Sequence, residues 1–407
     1  MSEWKKVKLK DCCIKIGSGS TPKGGSTVYI NFGTSLIRSQ NVYNLSFDYN
    51  GLTHITEDAA KKLNGVTIFK NDILLNITGD SVARTCIVPD DVLPARVNQH
   101  VAIVRVDGKT MNSNYLSYYL ACPKMQAHML SLAVGKGASR NAMTKQMIEN
   151  FEVPCPPIEI QIRIAIILSR YDTLIENYQK QIKLLEEAAQ RLYKEWFVDL
   201  RFPRYENTKM VDGLPEGWER KKINTFVNLQ SGYAFKSSTF EVEGIYKIVT
   251  IKNVKDGVFD GENTSLIRQI PDKMPKHCRL KTGDILLSLT GNVGRICMVV
   301  GDDYLLNQRV AKLETRYPAF TYCLFRNNDM FITVNNLANG AAQQNVSSIR
   351  IGELKVLFAN DSIMNQFENL VGTICNKIIN LYAQIRFLAE ARDRLLPRLM
   401  GGELLKQ

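Results

Sequence analysis

Short motifs that could carry catalysis are scarce in this chain. Glu353-Leu354-Lys355 has the carboxylate and nearby lysine that metal-dependent nucleases use, but matches this short are common by chance. Gly19 to Gly24 supplies the two glycines of a phosphate-binding loop, yet Gly25 and Ser26 stand where that loop needs lysine and then serine or threonine. The serines, cysteines and histidines show no nucleophile–base pattern. The sequence therefore predicts that this chain catalyses nothing itself.

Metal and cofactor motifs are not indicated either. The four histidines lack any metal-ligand spacing, and the nine cysteines contain no C-x-x-C pair. The sequence has no dinucleotide-binding G-x-G-x-x-G after a strand and no Asn-Pro-Pro-Tyr-like motif of an amino-methyltransferase. We therefore expect this chain to bind no cofactor.

The charge balance points to a polyanionic partner. The 407 residues carry a formal net charge of +12 at pH 7, and phosphate neutralisation supplies much of the affinity of DNA-binding proteins. An odd number of scattered cysteines is typical of a reducing compartment. The start, MSEWKKVKLKD, lacks an apolar signal region, and no apolar stretch reaches the roughly 18 residues of a membrane span. We expect a cytoplasmic protein.

The chain repeats itself. Equivalent segments occur in the same order in both halves, and their offset drifts only from 214 to about 204 residues. The paired segments are Trp4 and Trp218, Ser18-Gly19 and Ser231-Gly232, NDILLNITGD (Asn71 to Asp80) and GDILLSLTGN (Gly283 to Asn292), Arg84 and Arg295, Asn98-Gln99 and Asn307-Gln308, and Asn141 and Asn345. Chance matches would not stay in register in this way.

Polar residues in the repeated loops are the candidate DNA contacts, because arginine and lysine suit guanine edges while asparagine and glutamine suit adenine. The candidates are Arg38, Ser39, Gln40, Asn41, Arg84, Lys136, Arg140, Lys252, Asn253, Arg295, Gln343 and Gln344. Features kept in both halves, such as Thr78-Gly79 and Asn98-Gln99, favour a role in the fold as turns, caps or buried amides. Features that differ between the halves are better candidates for base reading, because two readers of different sequences must differ there.

Each half ends in a long amphipathic pattern. Ten residues from Ile164 to Trp196 step by alternating fours and threes, and ten residues from Phe367 to Leu399 repeat the pattern 203 positions later. Such heptads predict coiled-coil helices of roughly 50–60 Å that pair with each other. Arg392 interrupts the second seam. It either fixes the register of the pair or, in the reading we favour, extends to water near the helix end.

These patterns predict an α+β fold with two repeated mixed α/β domains joined by two long antiparallel coiled-coil helices with pseudo-two-fold symmetry. The segment from Asn114 to Leu132 is expected to be helical. The predicted domains are a first globular domain at 1–158, a first long helix at 159–200, a linker at 201–217, a second globular domain at 218–361 and a second long helix at 362–402.

The chain resembles the specificity subunits of type I restriction–modification systems. The paired DILL segments, the two Asn-Gln pairs, RLYKEWFVDLRFP (Arg191 to Pro203) and LLPRLMGGEL (Leu395 to Leu404) carry the resemblance, which covers the whole chain. It implies that each globular domain is a target recognition domain for one half of a bipartite, asymmetric site in double-stranded DNA. The helices would separate these domains.

The resemblance also implies partners. Two methyltransferase subunits would dock on the helices, and restriction/translocase subunits would join them. S-adenosylmethionine, ATP and Mg would then be bound by those partners. Charged residues on the outer helix faces would meet the partners or solvent: Lys180, Lys183, Glu186, Glu187, Arg191 and Lys194.

Two alternatives stay open from the sequence. A nuclease or methylase with an unrecognised site would cleave or methylate DNA alone. A stand-alone DNA-binding regulator would bind tightly without any methyltransferase.

Overall fold

The computed structural model describes residues 4–134, 141–338 and 345–402, which form two compact units. The first unit is Met1–Thr173 with Leu388–Gln407, and the second is Leu174–Phe387. Each unit thus combines a globular domain with parts of two long helices. The predicted α+β class with two repeated mixed domains is confirmed.

The first globular domain mixes short strands with short helices. Its helices are α1 (Leu9–Cys12), α2 (Glu57–Lys62), α3 (Ser113–Ala121), α4 (Pro123–Ala133) and α5 (Lys145–Glu149). Its strands are β1 (Lys6–Lys8), β2 (Cys13–Ser18), β3 (Tyr29–Ile30), β4 (Thr34–Ile37), β5 (Val42–Tyr43), β6 (Ser46–Phe47), β7 (Thr53–Ile55), β8 (Thr67–Ile68), β9 (Ile73–Asn76), β10 (Thr85–Ile87), β11 (Ala95–Val97), β12 (Val101–Val106) and β13 (Glu152–Pro154).

Two sheets build the core of this domain. One has the antiparallel order β10-β9-β12-β2, and the other has the order β3-β7-β4-β11-β8, in which β4 and β11 run parallel. Leu74 of β9 lies in the cluster between the sheets, while Ile73 and Leu75 pack in the cluster with α3 and α4. The repeated Ile-Leu-Leu segment is therefore a strand buried on both faces, which explains its continuous apolar run.

The second globular domain repeats this plan. Its helices are α7 (Pro318–Arg326), α8 (Asn328–Ala338) and α9 (Ser348–Gly352), and the long helices are α6 (Ile158–Tyr193) and α10 (Asp361–Met400). Its strands and the preceding hairpin are β14 (Met210–Val211), β15 (Leu214–Pro215), β16 (Glu219–Lys222), β17 (Val227–Ser231), β18 (Tyr246–Val249), β19 (Ser265–Ile267), β20 (Arg279–Leu280), β21 (Ile285–Ser288), β22 (Ile296–Met298), β23 (Tyr304–Leu306), β24 (Val310–Thr315) and β25 (Lys355–Phe358).

The sheet orders of the second domain match those of the first, except that its second sheet has four strands where the first domain has five. They are β17-β24-β21-β22 and β19-β18-β23-β20, with β18 parallel to β23. The aspartate before each buried Ile-Leu-Leu strand has the same role in both domains. Asp72 accepts two hydrogen bonds of 2.7 Å from Arg105, and Asp284 pairs with Lys312 at 2.9 Å. Each buried carboxylate thus has a cation on the adjacent strand, which offsets its desolvation.

The helical segment expected from Asn114 to Leu132 is confirmed, but it is divided into two helices. α3 ends at Ala121, Cys122 is extended with φ −67° and ψ 146°, and Pro123 begins α4. Proline disfavours helical backbone in the residue before it and suits the first helical position. Pro123 therefore marks the boundary between the two helices, although the spacing of the apolar residues continues across it.

The predicted seams of the long helices face inward. All ten positions from Ile164 to Trp196 are buried or half-buried, as are those from Phe367 to Leu399. In the first unit, the start of α6 packs with the end of α10, where Leu168 and Leu399 share one cluster. In the second unit, the end of α6 packs with the start of α10, where Ala189 and Val371 share another. The helices are therefore antiparallel within each unit. A π-helical turn, Lys194–Val198, follows α6.

Arg392 is largely buried, contrary to the expectation that it extends to water. Its side chain is only 16% exposed, and it binds Asp172 of α6 at 2.5 Å and Asp393 at 2.9 Å. Tyr118 of α3 donates a hydrogen bond to the same Asp172. Burial opposes the charge, but the two carboxylates raise the pKa of Arg392 above its usual value. Arg392 therefore does not extend to water; it fixes the position of α10 on α6 in the first unit.

Candidate nucleic-acid interface

Three turns meet at one edge of each globular domain, which we call the loop edge. In the first domain they are residues 38–41, 78–84 and 98–100. Because β4 and β11 are parallel, the chain leaves both strands at the same side, and Asn98 N donates to Ile37 O at 3.1 Å. The turn after β9 joins them through Ile77 N, which donates to His100 O at 3.0 Å.

The loop edge of the second domain has the same construction. Its turns are residues 250–253, 290–295 and 307–309. Asn307 N donates to Val249 O at 3.0 Å, and Leu289 N donates to Arg309 O at 3.0 Å. Two domains of different sequence therefore present three equivalent loops from equivalent strand ends.

The repeated Ser-Gly pair lets the backbone approach this edge. A Cβ at Gly19 would overlap the Val97 carbonyl oxygen and lie 2.5 Å from the carbonyl oxygen of Asn98. A Cβ at Gly232 would likewise overlap the backbone of Asn307. Only glycine fits at such contacts, so this repeated pair is a packing requirement of the edge.

The repeated asparagine of the first loop belongs to the fold. Asn41 is fully buried; its Oδ1 accepts from Arg38 N, and its Nδ2 donates to Asp48 O and Asn50 O. Asn253 makes the same set of bonds with Thr250 N, Asp260 O and Asn263 O, at 2.8, 2.8 and 2.9 Å. Both amides are buried and committed to backbone groups, so Asn41 and Asn253 hold their loops and are not DNA contacts as the sequence predicted.

The remaining residues of the first loop are partly exposed. Arg38 is half-buried and donates through Nη2 to Gly51 O at 2.6 Å and Thr53 Oγ1 at 2.8 Å. Gln40 is exposed and makes a 3.3 Å bond to Gly51 O. Asn76 Nδ2 donates to Ser39 O at 2.8 Å, which anchors the loop on β9. Gln40 is thus the exposed side chain of this loop, held by one long hydrogen bond.

The equivalent arginines lie beside these loops. Arg84 is half-buried, and its guanidinium lies 4.5 Å from the ring centre of Tyr43, which is 39% exposed. Arg295 is half-buried on the matching turn, and its backbone N bonds Ser288 Oγ at 3.0 Å. The structure brings each arginine to the loop edge of its own domain, as the repeat predicted.

The second loop presents a different cation. Lys252 is exposed and has no hydrogen-bond or ion-pair partner within the described ranges. Its neighbour Ile251 packs on the turn at Gly291, where a Cβ would lie 3.3 Å from Ile251 Cδ1. Farther along the loop, Lys255 pairs with Asp260 at 2.8 Å. Burial opposes ionisation of Asp260, but hydrogen bonds from Lys255 and Asn263 lower its pKa to about 2. These contacts hold the loop in place, while the side chain of Lys252 is exposed and can bind a partner.

Four predicted contacts, Lys136, Arg140, Gln343 and Gln344, lie outside the described residues. Asn141 and Asn345 are the first described residues after these two segments, and each lies at the loop edge of its own domain. Gly79 N donates to Asn141 O at 2.9 Å, and Thr290 pairs with Asn345 in a β-bridge. Sequence reasoning missed Tyr43, which is exposed at the loop edge of the first domain, and Gln308 and Arg309, which are exposed at that of the second. The signal for the last two was their position in the repeated Asn-Gln turn.

The nuclease-like fragment shows a different chemistry. Glu353 binds Lys222 at 2.5 Å and Asn224 at 2.9 Å, and the Lys222 contact lowers the pKa of its carboxyl. Within residues 4–134, 141–338 and 345–402, no three His, Cys, Asp or Glu side chains come together as a metal site. The same ranges contain no helix that could span a membrane.

One of the predicted outer-face charges is internal. Glu186 is 12% exposed and accepts a hydrogen bond from Tyr322 of α7 at 2.6 Å. Arg326 of α7 lies 3.5 Å from the same carboxylate and also binds Asp256, next to the loop edge. Burial raises the pKa of Glu186 in spite of these partners. Glu186 therefore anchors the globular domain of the second unit on α6 and does not face solvent.

Known proteins share this plan. The family model "Type I restriction modification DNA specificity domain" matches residues 1–187 and again 215–366. The type I restriction enzyme MjaIX specificity subunit of Methanocaldococcus jannaschii is 27% identical, over 99% of this chain and 94% of that protein. The EcoBI specificity subunit of Escherichia coli is 24% identical, over 77% of this chain and 65% of that protein.

A solved structure agrees at the level of the fold. The S subunit of a type I restriction–modification system from M. genitalium superposes with a TM-score of 0.59 at 16% identity, covering 97% of this chain and 96% of that one. The two matches of the family model also fall on the two repeats found in the sequence. This chain belongs to the family of type I restriction–modification DNA specificity subunits.

Proposed function

We propose that this chain reads a bipartite, asymmetric site in double-stranded DNA, with one globular domain for each half. As a specificity subunit it is a non-catalytic component that recognises DNA sequence for a restriction–modification complex. The single observation that carries the finer proposal is the pair of loop edges: they have one backbone plan but different exposed side chains.

The difference between the edges supports an asymmetric site. Gln40 stands in the first domain where Lys252 stands in the second, and both are exposed beside the same kind of buried asparagine. Glutamine suits the adenine edge in the major groove, and lysine suits guanine. Arg84 and Arg295 lie at equivalent places and could serve either bases or phosphates. Arg38 and Ser39 complete the first candidate set.

We propose further that the chain assembles with two methyltransferase subunits and with restriction/translocase subunits in the cytoplasm. S-adenosylmethionine, ATP and Mg would be bound by those partners. Support comes from family membership and from exposed apolar residues on α6, such as Ile162 and Ile166, which are 42% and 49% exposed. Exposed apolar side chains on a helix suit a protein partner better than solvent.

A map of methylated adenines in the host genome, with and without this gene, tests the proposal. We expect one gapped, non-palindromic motif to lose methylation when the gene is deleted and to regain it when the gene is restored. An expressed gene whose deletion changes no motif would contradict the targeting of a methyltransferase. A palindromic motif would contradict two different readers.

A further inference from the structure

A small polar pocket opens at the loop edge of the second domain. It has a volume of about 230 Å³ and is lined by Leu289, Thr290, Gln308, Arg309 and Asn345. None of these side chains is acidic. The pocket lies beside the Lys252 loop, because the turn at Gly291 that follows Thr290 packs on Ile251.

Hydrogen-bond donors are in excess in this pocket. Thr290 Oγ1 donates to Asn345 Oδ1 at 3.0 Å, which uses the amide oxygen of Asn345. The Nδ2 hydrogens of Asn345 have no hydrogen-bond acceptor among the described residues. Gln308 and Arg309 are exposed, and their side chains have no partner in the part of the chain that the structure describes. A guanidinium and amide hydrogens without acceptors suit an oxyanion, which offers several acceptor oxygens and a negative charge.

At the equivalent place in the first domain, the polar side chains are paired with one another. His100 stands where the second domain has Arg309, and its Nδ1 lies 2.6 Å from Thr78 Oγ1. Its Nε2 lies 3.3 Å from Gln99 Nε2, and Gln99 also contacts Thr21. The first domain therefore keeps the framework of the pocket, while its polar groups bind one another.

We propose that the pocket of the second domain holds a phosphate of the DNA backbone, with Arg309 as the cation and Gln308 and Asn345 as further donors. This inference rests on the proposed function, because it concerns the same DNA. Gln308 and Asn345 recur as Gln99 and Asn141 in a domain whose other loops differ, and donors that do not change with the recognised sequence suit a group common to all DNA. Arg309, which stands in place of His100, supplies the charge in the second domain only. A phosphate bound there would hold the duplex in a fixed position, so that Lys252 meets one particular base.

The test is the salt dependence of DNA binding by the full chain and by its Arg309→Ala variant. Two duplexes of equal length are used: one carries the methylated motif, and one carries its scrambled sequence. Between about 50 and about 200 mM salt, loss of one phosphate contact should reduce the slope of log Kd against log salt by about 0.9. Affinity should fall about tenfold for both duplexes, so that their ratio stays unchanged. Arg309→Lys should keep the slope.

A matched variant controls for the loss of charge. Lys281 is exposed at the opposite end of β21, so Lys281→Ala removes one charge from the same domain and should leave the slope unchanged. An unchanged slope for Arg309→Ala, or a changed ratio between the duplexes, would overturn the phosphate site alone. A wild-type chain that binds both duplexes equally would overturn the proposed function as well.

Discussion

Gly19→Ala should destroy the loop edge of the first domain and with it site-specific binding. The new Cβ would overlap the Val97 carbonyl, a backbone group in the middle of the edge that cannot rotate away. We expect a loss of about 3 kcal/mol or more in the stability of this domain, since overpacking against backbone forces the strands apart. Hydrogen exchange of peptides from β4, β11 and β12, measured by mass spectrometry, reports the loss directly.

Gly17→Ala is the matched control for this prediction. Gly17 lies two residues earlier, in β2, and a Cβ there meets no atom within 4 Å. Replacing a strand glycine in open space should be neutral or should stabilise the domain by roughly 0.5–1 kcal/mol. Equal exchange rates in the two variants would show that the close approach at Gly19 does not hold the edge together.

Arg326→Ala should be the most damaging single change in the second unit. Arg326 and Glu186 are 17% and 12% exposed, and removal of the arginine leaves a buried carboxylate with only the Tyr322 hydroxyl beside it. Breaking a buried pair in this way typically costs about 3–5 kcal/mol of stability. Two of the three tryptophans, Trp196 and Trp218, are buried in this unit, so fluorescence-detected urea unfolding measures the loss.

The pH dependence of this loss has a definite sign. Burial already raises the pKa of Glu186 above its ordinary 4.5, and removal of Arg326 should raise it further. The native variant then binds a proton that the unfolded chain does not, so its stability increases as the pH falls. We expect a smaller deficit at about pH 5.5 than at about pH 8. Glu186→Gln with Arg326→Met should recover most of the stability; a double variant as weak as Arg326→Ala would contradict the pairing.

The repeat made most of the fold predictable. A strand buried on both faces produces a continuous apolar run, and each domain carries that run at the same place, at Ile73 and at Ile285. Heptads depend on local spacing alone, so the seams of α6 and α10 could also be read directly. The break between α3 and α4 was missed because the apolar period continues across Pro123.

The site was less predictable, because exposure and pairing depend on contacts distant in sequence. Asn41 and Gln40 are adjacent and similar in chemistry, yet one is buried among backbone groups and the other is exposed. Glu186 has the spacing of a solvent-facing helix charge, but Arg326, 140 positions later, lies against it. Arg392 likewise found its partner, Asp172, 220 positions away. Only the assembled fold brings such pairs together.

We propose that each loop edge reads a different half of one DNA site. Adenine methylation maps of two matched double variants test it most directly: Gln40→Ala with Arg84→Ala in the first domain, and Lys252→Ala with Arg295→Ala in the second. We predict that each variant relaxes or changes one half of the methylated motif, and that the two variants affect opposite halves. A variant that alters both halves, or an unchanged motif at normal methylation in both variants, would contradict the claim.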